Sequence, residues 1–157
     1  MNAKWLLHAV AAPLVCLGCT SLTAADTDAR AKLFAQAYAG QLCADPRKCT
    51  VTVKVGENCS FTVTPFTIGV PVGNQNVKLH WVIDPASAGS PKFTTNGIVF
   101  KSPTKEFDQG GKVSDTEFKF NDKNDGATPK PRFHAYSINV TQGKATCTAD
   151  PTVVNDF

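Results

Sequence analysis

No run of apolar residues in this chain reaches the ~18 that a membrane-crossing helix needs. Catalytic signatures are equally scarce. The 157 residues hold no H-E-x-x-H, no G-x-S-x-G and no P-loop, so the helical zinc site, the nucleophile elbow and the phosphate cradle built on those spacings are not expected. Beyond the first 24 residues only two histidines occur, His80 and His134. Neither has a nucleophile or a metal ligand at a working distance in sequence, and no catalytic residue is expected. Charge is low as well, with 16 basic residues against 13 acidic ones. The basic residues read as evenly spread, without the clustered face that marks a nucleic-acid binder. Nucleic acid, cofactors and metal ions are therefore not expected as partners, and internal repeats and low-complexity segments are absent.

What is present begins with a targeting segment over residues 1–24. Lys4 gives a weakly basic head, and Trp5 to Leu17 is an apolar run broken only by His8 and Pro13. The small and polar stretch Gly18 to Ala25 follows. Basic, apolar and small in that order is the layout of a secretory signal. Two cleavage readings stand. Val15-Cys16-Leu17-Gly18-Cys19 resembles a bacterial lipoprotein box, which would lipidate Cys19 and anchor the protein by acyl chains. That pattern has an aliphatic residue where Cys16 stands. The alternative is cleavage after Ala24 or Ala25. Either places the protein in the periplasm or outer envelope of a bacterium. The leader holds one basic residue, Lys4, and no acid, so the remainder carries a formal charge of about +2.

Residues 25–157 read as one domain. Asp26 to Leu42 is expected to be a helix, with Asp26 or Thr27 as cap and Leu33, Phe34, Ala37, Tyr38 and Leu42 on one stripe. Asp45-Pro46 should stop it. The period then changes to two. Cys49, Val51, Val53 and Val55 alternate with polar residues, Gly56-Glu57-Asn58 turns the chain, and Cys59, Phe61 and Val63 alternate again, which is a hairpin. Pro65 and Pro71 demote the run around Ile68 to an edge strand. Val77, Leu79, Trp81 and Ile83 share a face, with Trp81 as a core anchor and His80 outward.

Two short pieces around Asn96-Gly97 follow, then a long polar loop, Ser102–Asp115. Phe118 and Phe120 mark another strand, and Asn121–Pro131 a second polar loop. Arg132 to Asn155 closes the chain as a hairpin. Its turn is read at Gln142-Gly143, with Cys147 opposite Ile138 and Asp150-Pro151 ending the pairing. Seven or eight short strands with one leading helix make an all-β fold, a small antiparallel β-sandwich.

An exported domain with four cysteines, Cys43, Cys49, Cys59 and Cys147, reads as a disulfide framework with three conceivable pairings. With Val55 opposite Cys59, Cys49 lies roughly 20 Å down its strand, far beyond disulfide reach. Cys43 and Cys49 flank a tight Asp-Pro turn. The expected bridges are Cys43–Cys49 and Cys59–Cys147. A zinc site is disfavoured, because only Cys43 and Cys49 are close in sequence.

Two further candidates weigh little. Asp122-Lys123-Asn124-Asp125-Gly126 has a calcium-loop flavour, but Gly126 arrives one position early and Phe133 stands where the last carboxylate belongs. Glu57, Glu106 and Glu117 sit in loops or at strand starts, outside any apolar context.

Leu79-His80-Trp81-Val82-Ile83, Asn96-Gly97-Ile98-Val99-Phe100, Tyr136-Ser137-Ile138-Asn139-Val140 and the ending Asp150-Pro151-Thr152-Val153-Val154-Asn155 together resemble small exported bacterial β-sandwich proteins of unknown function. The resemblance covers about half the chain. It implies fold and compartment and carries no catalytic residue. The expectation is a non-enzymatic envelope protein that binds a protein partner through surface loops, inhibitor- and immunity-like proteins included. A structural or assembly subunit of an envelope complex is the alternative, and a hydrolase the third reading. A membrane would be met only through the acyl anchor.

Overall fold

A computed structural model of the chain describes residues 24–39, 41–43, 45, 47–71, 73–102, 104–125 and 132–155. The leader, both of its cysteines and most of the second polar loop lie outside the described residues. So do Pro46 and the side chains of Asp26 and Thr27.

The described residues form one α-helix and ten strands. The helix α1 spans Ala24–Ala37. The strands are β1 (Lys48–Val55), β2 (Phe61–Thr64), β3 (Thr67–Val70), β4 (Val77–Ile83) and β5 (Lys92–Phe100), then β6 (Phe107–Lys112), β7 (Glu117–Asp122), β8 (Arg132–Gln142), β9 (Ala145–Ala149) and β10 (Thr152–Asn155). One sheet has the order β2-β1-β4-β7-β6 and the other β3-β10-β8-β5, with β9 beside β8. The fold is an all-β sandwich.

Period-two patterning explains the core. In β1 every second residue is buried, and in β4 Val77, Leu79, Trp81 and Ile83 all point inward. The second sheet answers with Ile68, Phe93, Tyr136, Ile138, Val140 and Val153. Trp81 and Tyr136 meet across the gap between sheets, with the indole Nε1 donating to the phenol oxygen at 3.1 Å. At the open edges β5 lies beside β6, and the rings of Phe100 and Phe107 stack at 3.7 Å.

The sandwich is not wholly antiparallel. β1 runs parallel to β4, and β3 runs parallel to β10. The reason is connectivity: β3 detours through the opposite sheet, so the chain returns to the free side of β1 in the same direction. As its prolines suggest, β3 is an edge strand.

The helix ends earlier than its stripe predicts. The chain turns after Ala37, the Gly69 N–H donates to the Gln41 carbonyl at 3.0 Å, and Leu42 bridges to Gly69. Pairing with the sheet edge outcompetes another helical turn. A Cβ on Gly69 would meet Leu42 Cδ2 at 2.8 Å and the Phe34 ring at 3.4 Å, so the missing side chain lets Phe34, Tyr38 and Leu42 close over β3. Phe34 is 7% exposed there, whereas Leu33, assigned to the same stripe, is 66% exposed.

Two registers differ from the sequence reading. In the first hairpin Val55 faces Phe61 rather than Cys59. Cys59 lies instead in a 3₁₀ turn, Glu57–Cys59, with φ +60°. In the last hairpin Cys147 faces Val140 rather than Ile138, and the turn residues are Gly143 and Lys144. Gly143 has φ +61°, matching the glycine that opens a type II′ turn. A two-residue change of register preserves which face each residue lies on, and so the inward set survives. Asp150-Pro151 does not end the pairing either. Pro151 lacks an N–H, but its carbonyl accepts the Tyr136 N–H at 3.0 Å, and β10 continues on β8 in the register set by β9. Finally, the pieces around Asn96-Gly97 form one strand with an irregularity between Phe93 and Ile98, and Ser102–Asp115 contains β6 rather than being all loop.

Candidate functional site

Four described cysteines form two bridges. Cys43 joins Cys49 with Cα atoms 4.8 Å apart, and Cys59 joins Cys147 at 5.2 Å. The second links the turn of the first hairpin to β9. It is reinforced by Gln142, whose Nε2 donates to the carbonyls of Gly56 and Ala88. Cys19 lies outside the described residues.

The remaining sequence candidates separate in space. His134 is half-buried with its ring edge-on to Phe107, 4.9 Å between centroids. Asp122 is buried at the end of β7, accepting on Oδ1 from Asn155 Nδ2 at 2.9 Å and from the Asn124 N–H at 3.1 Å. Asn124 is buried beside it, and its amide donates to the carbonyls of Pro71 and Asn74. This cluster ties the ends of β7 and β10 to the turn before β4. Gly126 of the calcium-like stretch is outside the described residues. Glu106, read from sequence as a loop carboxylate, is 4% exposed, because Phe107 and β6 draw the chain against the sandwich.

The outer face of the first sheet gathers what the sequence disperses. Inward apolar residues force their neighbours outward, and registration then sets the rows. Lys48 stands beside Lys78 and Lys78 beside Asn121; Thr50 stands beside His80 and His80 beside Lys119. Thr52, Val82 and Glu117 make the next row. His80 Nε2 approaches Glu117 Oε2 at 3.6 Å. Val113 and Gln109, flanking and within β6, wall one side. Of these residues, all but Thr50, Thr52 and Val82 line a recess of about 510 Å³.

Its electrostatics are unbalanced. Lys92, Lys101, Lys112 and Lys123 each pair with a carboxylate, but among the described residues Lys48, Lys78 and Lys119 pair with none. Asp108, at the rim, has its carboxylate occupied by Lys123 at 3.2 Å and by the Asn121 amide at 3.1 Å, which hold it below the usual aspartate range. The evenly spread charge read from the sequence is thus corrected: three lysines from distant positions share one surface. Like charges on directly opposed strand positions are unfavourable, and Lys48 beside Lys78 is such a pair.

Sequence reasoning placed His80 outward but missed this face, because registration of β1 with β4 in parallel was not legible. Chemically, ammonium groups, an imidazole and the Gln109 amide on rigid strands can hold an anionic or polar ligand. Among the described residues no hydroxyl or thiol hydrogen-bonds His80, whose ring nitrogen faces Glu117 alone. No model of a known protein family matches the chain, and no curated protein matches it.

Proposed function

We propose that the chain is an exported, non-catalytic binding protein of the bacterial envelope, and that it presents the outer face of its first sheet to its ligand. The observation that carries this reading is the recess around His80, where three uncompensated lysines stand on paired strands. The two disulfides are compatible with an oxidising compartment. Strands hold side chains in place better than loops do, and the polar segment Ser102–Asp115, read from the sequence as a loop, contains the edge strand β6. The envelope assignment itself rests on the signal-like leader and on the strand pattern shared with small exported proteins.

The test is capture from the native envelope with the wild-type protein and with Lys78→Glu. Recovery of one stoichiometric ligand by the first and not by the second supports the reading. Turnover of an envelope polymer by the purified protein would overturn it. Incorporation of labelled palmitate that disappears in Cys19→Ala would establish the acyl anchor, and cleavage after Ala24 or Ala25 would replace it.

The assembly-subunit reading keeps one specific support. Leu33 on α1 and Phe133 on β8 are each 66% exposed, and exposed large apolar side chains are common at docking sites. If Leu33→Asp abolished capture while Lys78→Glu did not, assembly through the helix would replace ligand binding.

A further inference from the structure

We infer that the recess on the first sheet is an oxyanion site for a small soluble ligand bearing a phosphate-class group. This rests on the reading of that face as the binding surface and names its ligand chemistry.

The charge is concentrated. Lys48, Lys78 and Lys119 lie on three successive strands, β1, β4 and β7. With neighbouring strands about 5 Å apart, their backbones span about 10 Å. Long lysine stems let all three ammonium groups converge on one or two oxyanion groups, and lysine meets phosphate as a point charge. His80 and Gln109 add an imidazole and a side-chain amide to the same recess. Unpaired like charges set side by side raise the free energy of the empty site, and a bound anion relieves that repulsion.

The size and outline of the recess favour a small ligand over a polymer. About 510 Å³ falls within the usual range for small-molecule sites. Beyond it the outer face continues through Thr50, Thr52 and Thr64, which carry no charge, with Lys54 alone at the far end. An extended polyanion needs cations along its length, and this face concentrates them at one end. Two acids stand nearby: Glu117, which lines the recess and faces His80, leaves it one negative charge against three positive ones, and Asp108 is engaged by Asn121 and Lys123.

The experiment is an NMR titration of the oxidised protein with inorganic pyrophosphate at ionic strength matched by sodium chloride. Saturable shifts should appear in residues flanking Lys48, Lys78 and Lys119, and Lys78→Glu should weaken binding about tenfold or more. Lys119→Gln, a milder change, should weaken it less, with both variants keeping the wild-type melting temperature. Shifts that do not saturate, or that persist undiminished in both variants, would overturn the inference. So would co-sedimentation with phosphatidylglycerol vesicles in the absence of pyrophosphate binding, since a lipid headgroup would then be the source. If envelope capture is lost in Lys78→Glu while pyrophosphate fails to bind, the binding face stands and its oxyanion chemistry falls.

Discussion

Trp81 and Tyr136 are the two largest fully buried side chains among the described residues, and one hydrogen bond joins them across the sandwich. Their burial was legible, since both fall on inward positions of alternating strands. Their partnership was not, because nothing in two segments 55 residues apart says which inward residues of opposite sheets will touch. Tyr136→Phe leaves the indole N–H without its acceptor in a dry interior and should cost about 1–3 kcal/mol in urea unfolding. Burial also pushes the Tyr136 phenol well above its ordinary value near 10, with the Trp81 hydrogen bond opposing only in part. A raised folded pKa means that the folded state holds the proton more tightly than the unfolded chain does. Stability should therefore be intact below about pH 10 and decline as pH rises beyond it. Tyr136→Phe should lack that alkaline decline in pH-dependent melting. At the acidic end Asp115 is held at about 2 by Lys112 and Lys92. Its contribution is present above the usual aspartate pKa and lost as pH falls toward 2.

Among the elements, the hairpins show how patterning and register differ in legibility. The inward sets of β1 and β4, and Tyr136, Ile138 and Val140 of β8, follow from alternation and are buried, whereas Phe66 and Ala145, read onto inward faces, are exposed. The registers were off by two residues in both hairpins because turn geometry decides them: a 3₁₀ turn after Gly56 and a glycine-led turn at Gly143. The expected cysteine pairs coincide with the bridges formed even though Cys59 sits in a turn and not on a strand, since the turn delivers it to β9. In the loop-entropy account, the bridge spanning 88 residues should stabilise about twice as much as the bridge spanning 6. Replacing Cys59 and Cys147 by alanine should thus lose about 4–5 kcal/mol in urea titration, and replacing Cys43 and Cys49 about 2 kcal/mol. The helix makes a similar point about single residues. Phe34→Ala uncovers β3 and should cost about 3 kcal/mol, whereas Leu33→Ser, at an exposed position, should change thermal stability little.

For the whole molecule, both sheets contribute to one continuous apolar core, and their edges are joined by the β5–β6 contact and the Cys59–Cys147 bridge. Unfolding should accordingly be a single transition, with near- and far-ultraviolet circular dichroism superimposable in urea. Two separate transitions would mean that the sheets are independently stable. The face that carries the proposed function belongs to this scale too. Lys48, Lys78 and Lys119 are 30 and 41 residues apart in the chain, and only the sheet order makes them neighbours.

Composition and alternation by themselves determined the class of fold, the core residues of β1 and β4, the edge character of β3 and a two-bridge disulfide framework. These follow from local physics: a strand has two faces, proline lacks a donor, and nearby cysteines close short loops. Tertiary structure alone decided the parallel pairings, the early end of the helix, the burial of Glu106 and the basic recess around His80. Each of those depends on which distant strand docks beside which. That choice is made by the packing of two sheets against one another, where side chains far apart in sequence compete for the same interior.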